Sequence, residues 1–414
     1  MLNIVEVKAL QTLAPAGRLL FTTRIIRMFA YGFLSVVLAL YLAERGFDER
    51  QIGLILTLTL IGDAVISLWI SLVADRIGRR RMLMIGAGLM IFGGWVLAFT
   101  GSPFLLIIAA IVGTISPTGN EVGPFLSIEQ AALTQTTENQ FRTSVFVWYN
   151  LLGSLATAVG ALTAGGLTTY LQNRGSTALD SYRLILASYG VIGGILLVMF
   201  TRLGTQVEPP IQIERKVGSR FGLHRSRPAV LKLSALFMLD AFGGGLVLQS
   251  VMAYWFFRRF GVDTAVLGGI FFGANLLSGF SALVAGRIAA RYGLINTMVW
   301  THIPSNILLI LVPLMPTLPL AILVLLLRFS ISQMDVPTRQ SYVMAMVDPD
   351  ERSAAAGITS IARTAASAIS PTLTGILFGA GLLYAPFFLA GTLKIIYDLS
   401  LYRSFIAVKP PEEI

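Results

Sequence analysis

Long apolar stretches separated by short polar or charged breaks recur along the whole chain. Their limits predict helices near 17–42, 51–74, 82–101, 103–128, 142–171 and 182–202, and again near 230–257, 265–286, 294–314, 318–341, 353–380 and 383–406. Runs of about 20 residues match a hydrocarbon core about 30 Å thick when crossed as α-helix. The runs are continuous and do not alternate, which excludes a β-barrel. The longest polar interval, 203–229, lies near the midpoint and carries Pro209, Pro210, Glu214, Arg215, Lys216, Arg220, Arg225 and Arg227. The pattern predicts an all-α membrane protein with twelve transmembrane helices in two pseudo-symmetric six-helix bundles. The bundles are expected over 1–202 and 230–414, joined by a cytoplasmic linker over 203–229.

The two halves echo each other at a spacing of about 210 residues, the mark of a duplicated unit. Leu72-Val73-Ala74-Asp75-Arg76-Ile77 returns as Leu283-Val284-Ala285-Gly286-Arg287-Ile288. Gly46-Phe47-Asp48 with Gly53 returns as Gly261-Val262-Asp263 with Gly268. The stretch from Glu138 to Arg142 returns as Asp348 to Arg352, each opening a helix. Glu121 with Pro124 and Asp335 with Pro337 are a fourth echo, an acid beside a helix-weakening proline, as a hinge would need.

Composition agrees with a lipid solvent: 55% of residues are apolar and 13% charged. The net charge of +10 does not imply nucleic acid, because basic residues gather in the cytoplasmic loops of membrane proteins. Lys8, Arg76, Arg79, Arg80, Arg81, Arg142, the linker, Arg287, Arg291, Arg352 and Lys409 share one side, so both termini are expected in the cytoplasm. The first apolar run continues into a second without a cleavage-site pattern, so no cleaved signal peptide is expected. Cysteine is absent and the only histidines are His224 and His302, which leaves no thiolate or zinc cluster. No cofactor or metal is expected. The phosphate-binding pattern G-x-x-x-x-G-K-[ST] does not occur, so ATP is not the expected energy source.

The segment Ser71-Leu72-Val73-Ala74-Asp75-Arg76-Ile77-Gly78-Arg79-Arg80-Arg81 resembles the signature between helices 2 and 3 of the major facilitator superfamily, with Ser71 in place of its leading glycine. The resemblance implies a carrier whose helices 1, 4, 5, 7, 10 and 11 line a central pathway, acting by alternating access. It also implies that Asp75, Arg76, Gly78, Arg79 and Arg80 form a conformational latch. A carboxylate at Asp75 suits a facing helix N-terminus, and the arginine forks are expected to pair with Glu129 beside Arg142. Arg287 and Arg291, with Asp350, Glu351 and Arg352, are the second-half counterpart; the plainer alternative is that the arginines only anchor topology. A monomer in a bacterial or archaeal inner membrane is expected. Gly153, Gly160, Gly165 and Gly166 are loosely similar to a glycine pattern of efflux members, but Ala161 stands where that pattern has proline, and close packing explains them as well.

An ionisable residue inside a span costs about 2.5–3.5 kcal/mol on insertion scales, so it faces a wet cavity or a partner. Arg328, Ser332, Asp335 and Arg339 share one face of helix 10, and Arg24, Arg27, Tyr31 and Ser35 one face of helix 1. Thr359, Arg363, Ser367 and Ser370 do the same in helix 11, and Asn150, Ser154 and Thr157 in helix 5. Arg27, Tyr31, Asn150, Asp240, Arg328, Asp335 and Arg363 are therefore the cavity candidates. Asp63, Glu121, Asp240 and Asp335 are the carboxylates at a depth suited to proton coupling. The competing view makes Arg328 with Asp335, and Arg27 with Asp240, static pairs. His302 beside Pro304 is read as a packed residue. The expected function is secondary active transport by alternating access, with proton-coupled export of a small organic molecule ahead of uptake or exchange of a small organic anion. Catalytic spacing of side chains is not visible, so an enzyme is not expected.

Overall fold

The computed structural model describes residues 13–121, 123, 125–138, 141–208, 226–348 and 351–406, without the side chains of Asp75, Thr143 and Ser353. The expected latch residue Asp350, the side chain of Asp75 and most of the linker therefore lie outside the described residues. Sixteen α-helices run in order within these limits. They are α1 Pro15–Ser35, α2 Leu38–Glu44, α3 Glu49–Ile77, α4 Arg79–Phe99, α5 Pro103–Val112, α6 Phe125–Thr136, α7 Arg142–Asn173 and α8 Ala178–Thr201. After a 3-10 turn at Thr205–Val207 come α9 Arg227–Gly245, α10 Gln249–Phe260, α11 Thr264–Tyr292, α12 Leu294–Leu311, α13 Leu318–Phe329, α14 Asp335–Ala345, α15 Arg352–Gly379 and α16 Ala385–Phe405.

These helices make the twelve expected spans once four interrupted ones are joined: α1 with α2, α5 with α6, α9 with α10, and α13 with α14. Each interrupted span is the first of a group of three, the discontinuous arrangement typical of repeat-built carriers. The continuous helices predicted over 17–42, 103–128, 230–257 and 318–341 are corrected accordingly. The reasons are local. Residues 113–123 hold Gly113, Ser116, Pro117, Gly119 and Gly123, with positive φ at Thr114, Gly119 and Gly123. In the second half Pro337 lacks an N–H for the carbonyl of Gln333, and the chain opens at 330–334. The first pair, α1 and α2, bends by 40°.

By contacts the chain forms two compact units, one of Met1–Asp48, Leu58–Ile213 and Met252–Phe272, the other of Glu49–Thr57, Glu214–Val251 and Gly273–Ile414. Unit 1 pairs α1 with α7 and α4 with α8, and unit 2 pairs α9 with α15 and α12 with α16. The packing is repeated in detail. A Cβ on Gly32 of α1 would sit 2.1 Å from the Thr157 carbonyl oxygen, and one on Gly245 of α9 would sit 2.4 Å from that of Ser367. Only residues without side chains allow backbones this close.

The distribution of polarity is inverted relative to a water-soluble protein. Leu72, Phe104 and Trp300 are 69%, 70% and 61% exposed, whereas Arg27, Glu129 and Asp240 are buried. Such an apolar exterior marks contact with lipid.

Candidate functional site

Two clusters of charge lie inside the spans, one in each unit. In unit 1 the guanidinium of Arg27 is divided between two carboxylates. Its Nε donates to Glu121 Oε1 at 2.6 Å. Its Nη1 and Nη2 donate to Glu129 Oε1 and Oε2 at 2.8 and 2.7 Å. The ring of Phe125 lies beneath it at 4.4 Å. One turn earlier, Arg24 donates to the Tyr149 carbonyl at 2.9 Å, to Glu121, and to Asn150 Oδ1 at 3.4 Å. Tyr149 completes the cluster by donating its hydroxyl to Glu129. Two cations thus meet two carboxylates, and the interruption between α5 and α6 is what brings Glu121 to Arg24 and Arg27.

In unit 2 the central group is an acid. Asp240 of α9 accepts from Lys394 Nζ at 2.5 Å on Oδ1, and from Arg363 and Arg339 at 2.8 and 3.4 Å on Oδ2. Arg339 also donates to Asp335 at 2.5 Å, an i to i+4 pair at the start of α14. Behind Asp240, His302 Nδ1 lies 2.8 Å from Asp398 Oδ1, and Asn306 donates to Asp398 Oδ2 at 3.0 Å. Arg328, at the end of α13, is within electrostatic reach of Asp240 and Asp335 but forms no ion pair with either. Its Nε is buried without a hydrogen-bond partner, and its guanidinium lies 4.9 Å over the Phe329 ring.

The clusters occupy equivalent places with opposite sign. Pro15, Arg27 and Gly32 of α1 match Pro228, Asp240 and Gly245 of α9 at one common spacing, and the two glycines serve the same close crossing. A central cation in unit 1 therefore corresponds to a central anion in unit 2.

Several expected partnerships are corrected. Glu129 is taken by Arg27, Tyr149 and Thr23, because it points into the bundle from the first turns of α6. It does not serve the arginines after α3 as expected. Arg27 and Asp240 each find partners in their own unit, and Asp335 pairs with Arg339 instead of Arg328. Tyr31 is fully buried, its ring 6.3 Å from that of Tyr189, so it packs instead of lining a cavity. Asn150 is exposed beside Arg24. Asp63 of α3 accepts from the Ser67 hydroxyl at 3.4 Å and has no ion pair among the described residues. His302, read as a packed residue, is a polar member of the unit 2 cluster. Lys394 and Asp398 of α16 were missed altogether; charges four apart in an apolar span are the signal that marks them.

At the motif, Gly78 takes φ +116° and caps α4 without a side chain. The capping carboxylate comes from Glu208, which accepts from the Arg79 and Arg80 backbone N–H groups at 2.7 and 3.2 Å. Arg79 donates to Gln135 at 2.9 Å and to the Val207 carbonyl at 3.2 Å. Arg76 is exposed in the last turn of α3, and Arg142 opens α7. In unit 2, Glu351 accepts from the Ser226 N–H at 2.8 Å, Arg352 donates to the Met344 carbonyl at 3.1 Å, and Arg287 and Arg291 are exposed.

The model of the Major Facilitator Superfamily matches residues 20–371. An uncharacterized membrane protein of Saccharomyces cerevisiae is 30% identical over 94% of this chain and 94% of its own length. The class B tetracycline resistance protein of Escherichia coli is 25% identical over 59% of this chain and 58% of its own. Among solved structures, a bacterial homolog of the human lysosomal transporter Spinster superposes with a TM-score of 0.72 at 13% identity, covering 98% of this chain and 99% of the other. The D-xylose-proton symporter gives 0.68 at 15% identity, covering 94% and 97%. The chain belongs to the Major Facilitator Superfamily. It is an integral membrane protein and a secondary transporter of a small-molecule substrate, not an enzyme.

Proposed function

We propose that this transporter carries a small organic anion by alternating access, with Arg328 and Arg363 holding the anionic end of the substrate. The observation that carries the reading is Arg328, whose Nε is buried without a hydrogen-bond partner although Asp240 and Asp335 lie within electrostatic reach of its guanidinium. Guanidinium keeps its proton in proteins, and a buried donor left without an acceptor is costly. An arriving anion supplies that acceptor. Arg363 is the complementary group: its side chain is 29% exposed, against 9% for Arg339 and Lys394 around the same carboxylate, so it is the cation within reach of a solute.

The test is thermal stabilisation of the detergent-purified protein by lactate, citrate and benzoate, set against organic cations and neutral sugars. Ligands that favour the folded state raise its stability, by about 2.7 kcal/mol at 100 times Kd. Stabilisation by an anion that is lost in Arg328→Gln supports the reading. Stabilisation by cations or sugars alone ends it.

A second reading, proton-coupled export, is favoured by Asp63, a carboxylate in α3 with no ion pair among the described residues. The other three carboxylates at that depth, Glu121, Asp240 and Asp335, are each committed to cations. The likeness to the tetracycline resistance protein of Escherichia coli also favours it. An exporter lowers cellular accumulation of its substrate, and Asp63→Asn abolishes that effect if Asp63 carries the proton. The basic loops support cytoplasmic termini, and the two halves over 1–202 and 230–414 fit a carrier that works as a monomer. The segment from Asp75 to Arg80, with Arg287 and Arg291 opposite in the duplication, is proposed as the conformational latch.

A further inference from the structure

We infer that Ser332 reads a hydroxyl group on the substrate, beside the carboxylate that Arg328 holds, so that the anion is a 2-hydroxycarboxylate. The inference rests on the anion reading above and narrows it. Its basis is the order of polar groups along one face of the break between α13 and α14.

The Ser332 N–H donates to the Arg328 carbonyl at 3.0 Å, so the chain keeps helical spacing across this turn and Ser332 falls one turn beyond Arg328 on the same face. Asp335 follows three residues later and lies within electrostatic reach of the Arg328 guanidinium. A cation, a hydroxyl and a carboxylate therefore succeed one another along the face. Ser332 is 6% exposed, and its Oγ has no hydrogen-bond partner. A serine on a helix commonly bonds a carbonyl three or four residues earlier, as Ser330 does to Leu327 at 2.7 Å and Ser370 to Ala366 at 3.1 Å. The carbonyl four residues before Ser332, that of Arg328, is taken by the N–H groups of Ile331 and Ser332. Two donors one turn apart, Arg328 Nε and Ser332 Oγ, are thus buried and unused.

The order of these groups selects the ligand. A guanidinium takes a carboxylate through two parallel N–H···O bonds, which engages both carboxylate oxygens. Ser332, next along the face, is left for the next polar atom of the ligand. That atom has Asp335 beyond it, and an ionised carboxylate only accepts. Arg339 donates to Asp335 Oδ2, so Oδ1 is available. A hydroxyl on the carbon beside the carboxylate suits both neighbours, because it accepts from Ser332 and donates to Asp335. A keto oxygen in the same place accepts from Ser332 but turns its other lone pair toward Asp335. A methylene there leaves the Ser332 donor unused. Sites that hydrogen-bond a ligand hydroxyl reject the analogue without it, because their own polar groups are then left unpaired.

The experiment measures affinity by titration calorimetry on the full chain in detergent, with sodium salts at one pH. One ligand set is lactate, propionate and pyruvate; a bulkier one is mandelate, phenylacetate and phenylglyoxylate. The hydroxy acid of the set that fits is expected to bind about tenfold more tightly than its deoxy and keto partners, as one added hydrogen bond provides. In Ser332→Ala the hydroxy and deoxy acids are expected to lie within about threefold of each other. Without ligand that variant is expected to melt no lower than the parent, because the hydroxyl it removes has no partner. A variant that melts lower or does not fold gives Ser332 a structural role and overturns the inference. Equal binding of hydroxy, deoxy and keto acids by the parent also overturns it while leaving the anion reading intact. A preference that survives in Ser332→Ala, or binding confined to anions without a hydroxyl such as benzoate, does the same. If no carboxylate binds, both the anion reading and this inference fall.

Discussion

Replacing Arg27 with methionine isolates what the unit 1 cluster contributes. The substitution keeps an unbranched side chain of similar reach in α1 but deletes three charge-assisted hydrogen bonds of 2.6, 2.8 and 2.7 Å. Glu121 retains Arg24, whereas Glu129 is left buried with the hydroxyls of Tyr149 and Thr23, the latter at 3.3 Å. Removing one partner of a buried ion pair costs about 3–5 kcal/mol, because the remaining charge is uncompensated. That is about two to three and a half decades in the folding equilibrium. Exchanging both partners for neutral groups is often neutral or stabilising, so Arg27→Met with Glu129→Gln is expected to recover most of the loss. The assay is unfolding in mixed micelles, comparing parent, both single variants and the double. A loss under about 1 kcal/mol in Arg27→Met, or a double variant no more stable than the single, refutes the reasoning.

Two further outcomes follow from the packing. Gly53→Val places a Cβ 2.4 Å from the Pro371 carbonyl oxygen, and Gly268→Val places one 2.8 Å from that of Ala161. Both are expected to abolish the monodisperse peak in size-exclusion chromatography, whereas Gly88→Ala, with nothing within 4 Å, elutes like the parent. Glu208→Ala removes the carboxylate that caps α4 and is expected to lower stability by about 1 kcal/mol. A melting curve unchanged from the parent shows that the cap contributes nothing.

Span positions are legible in the sequence because crossing a membrane demands about 20 apolar residues whatever the packing. The predicted helix 294–314 and the observed α12 both begin at Leu294. Two of the interruptions, before α6 and before α14, fall where Glu121 with Pro124 and Asp335 with Pro337 read as hinge-like, whereas those after α1 and α9 carry no such mark, and Pro304 and Pro371 lie within α12 and α15 without ending them. Charges inside spans were identified by their cost, but their pairings were not. Glu129 reads as a loop-proximal acid, and only the course of α6 shows that it turns inward to Arg27. Lys394 and Asp398 obey the same rule as Asp240 but lie in α16, outside the helices that the family resemblance places along the pathway.

Arg27 and Asp240, at matching places in a duplicated sequence, set a limit on how this protein has changed and can change. An ancestral unit had one residue at that place, so at least one half changed its central residue after duplication, and its neighbours with it. Each single replacement on that route passes through a chain with a stranded charge, several kcal/mol less stable. The route is passable only by near-simultaneous changes or through a neutral residue. Descendants of this chain are therefore expected to keep Arg27, Glu121 and Glu129 together or lose them together, and to treat Asp240 with Lys394 and Arg363 in the same way. A set of relatives in which Arg27 varies freely while Glu129 stays fixed contradicts that history.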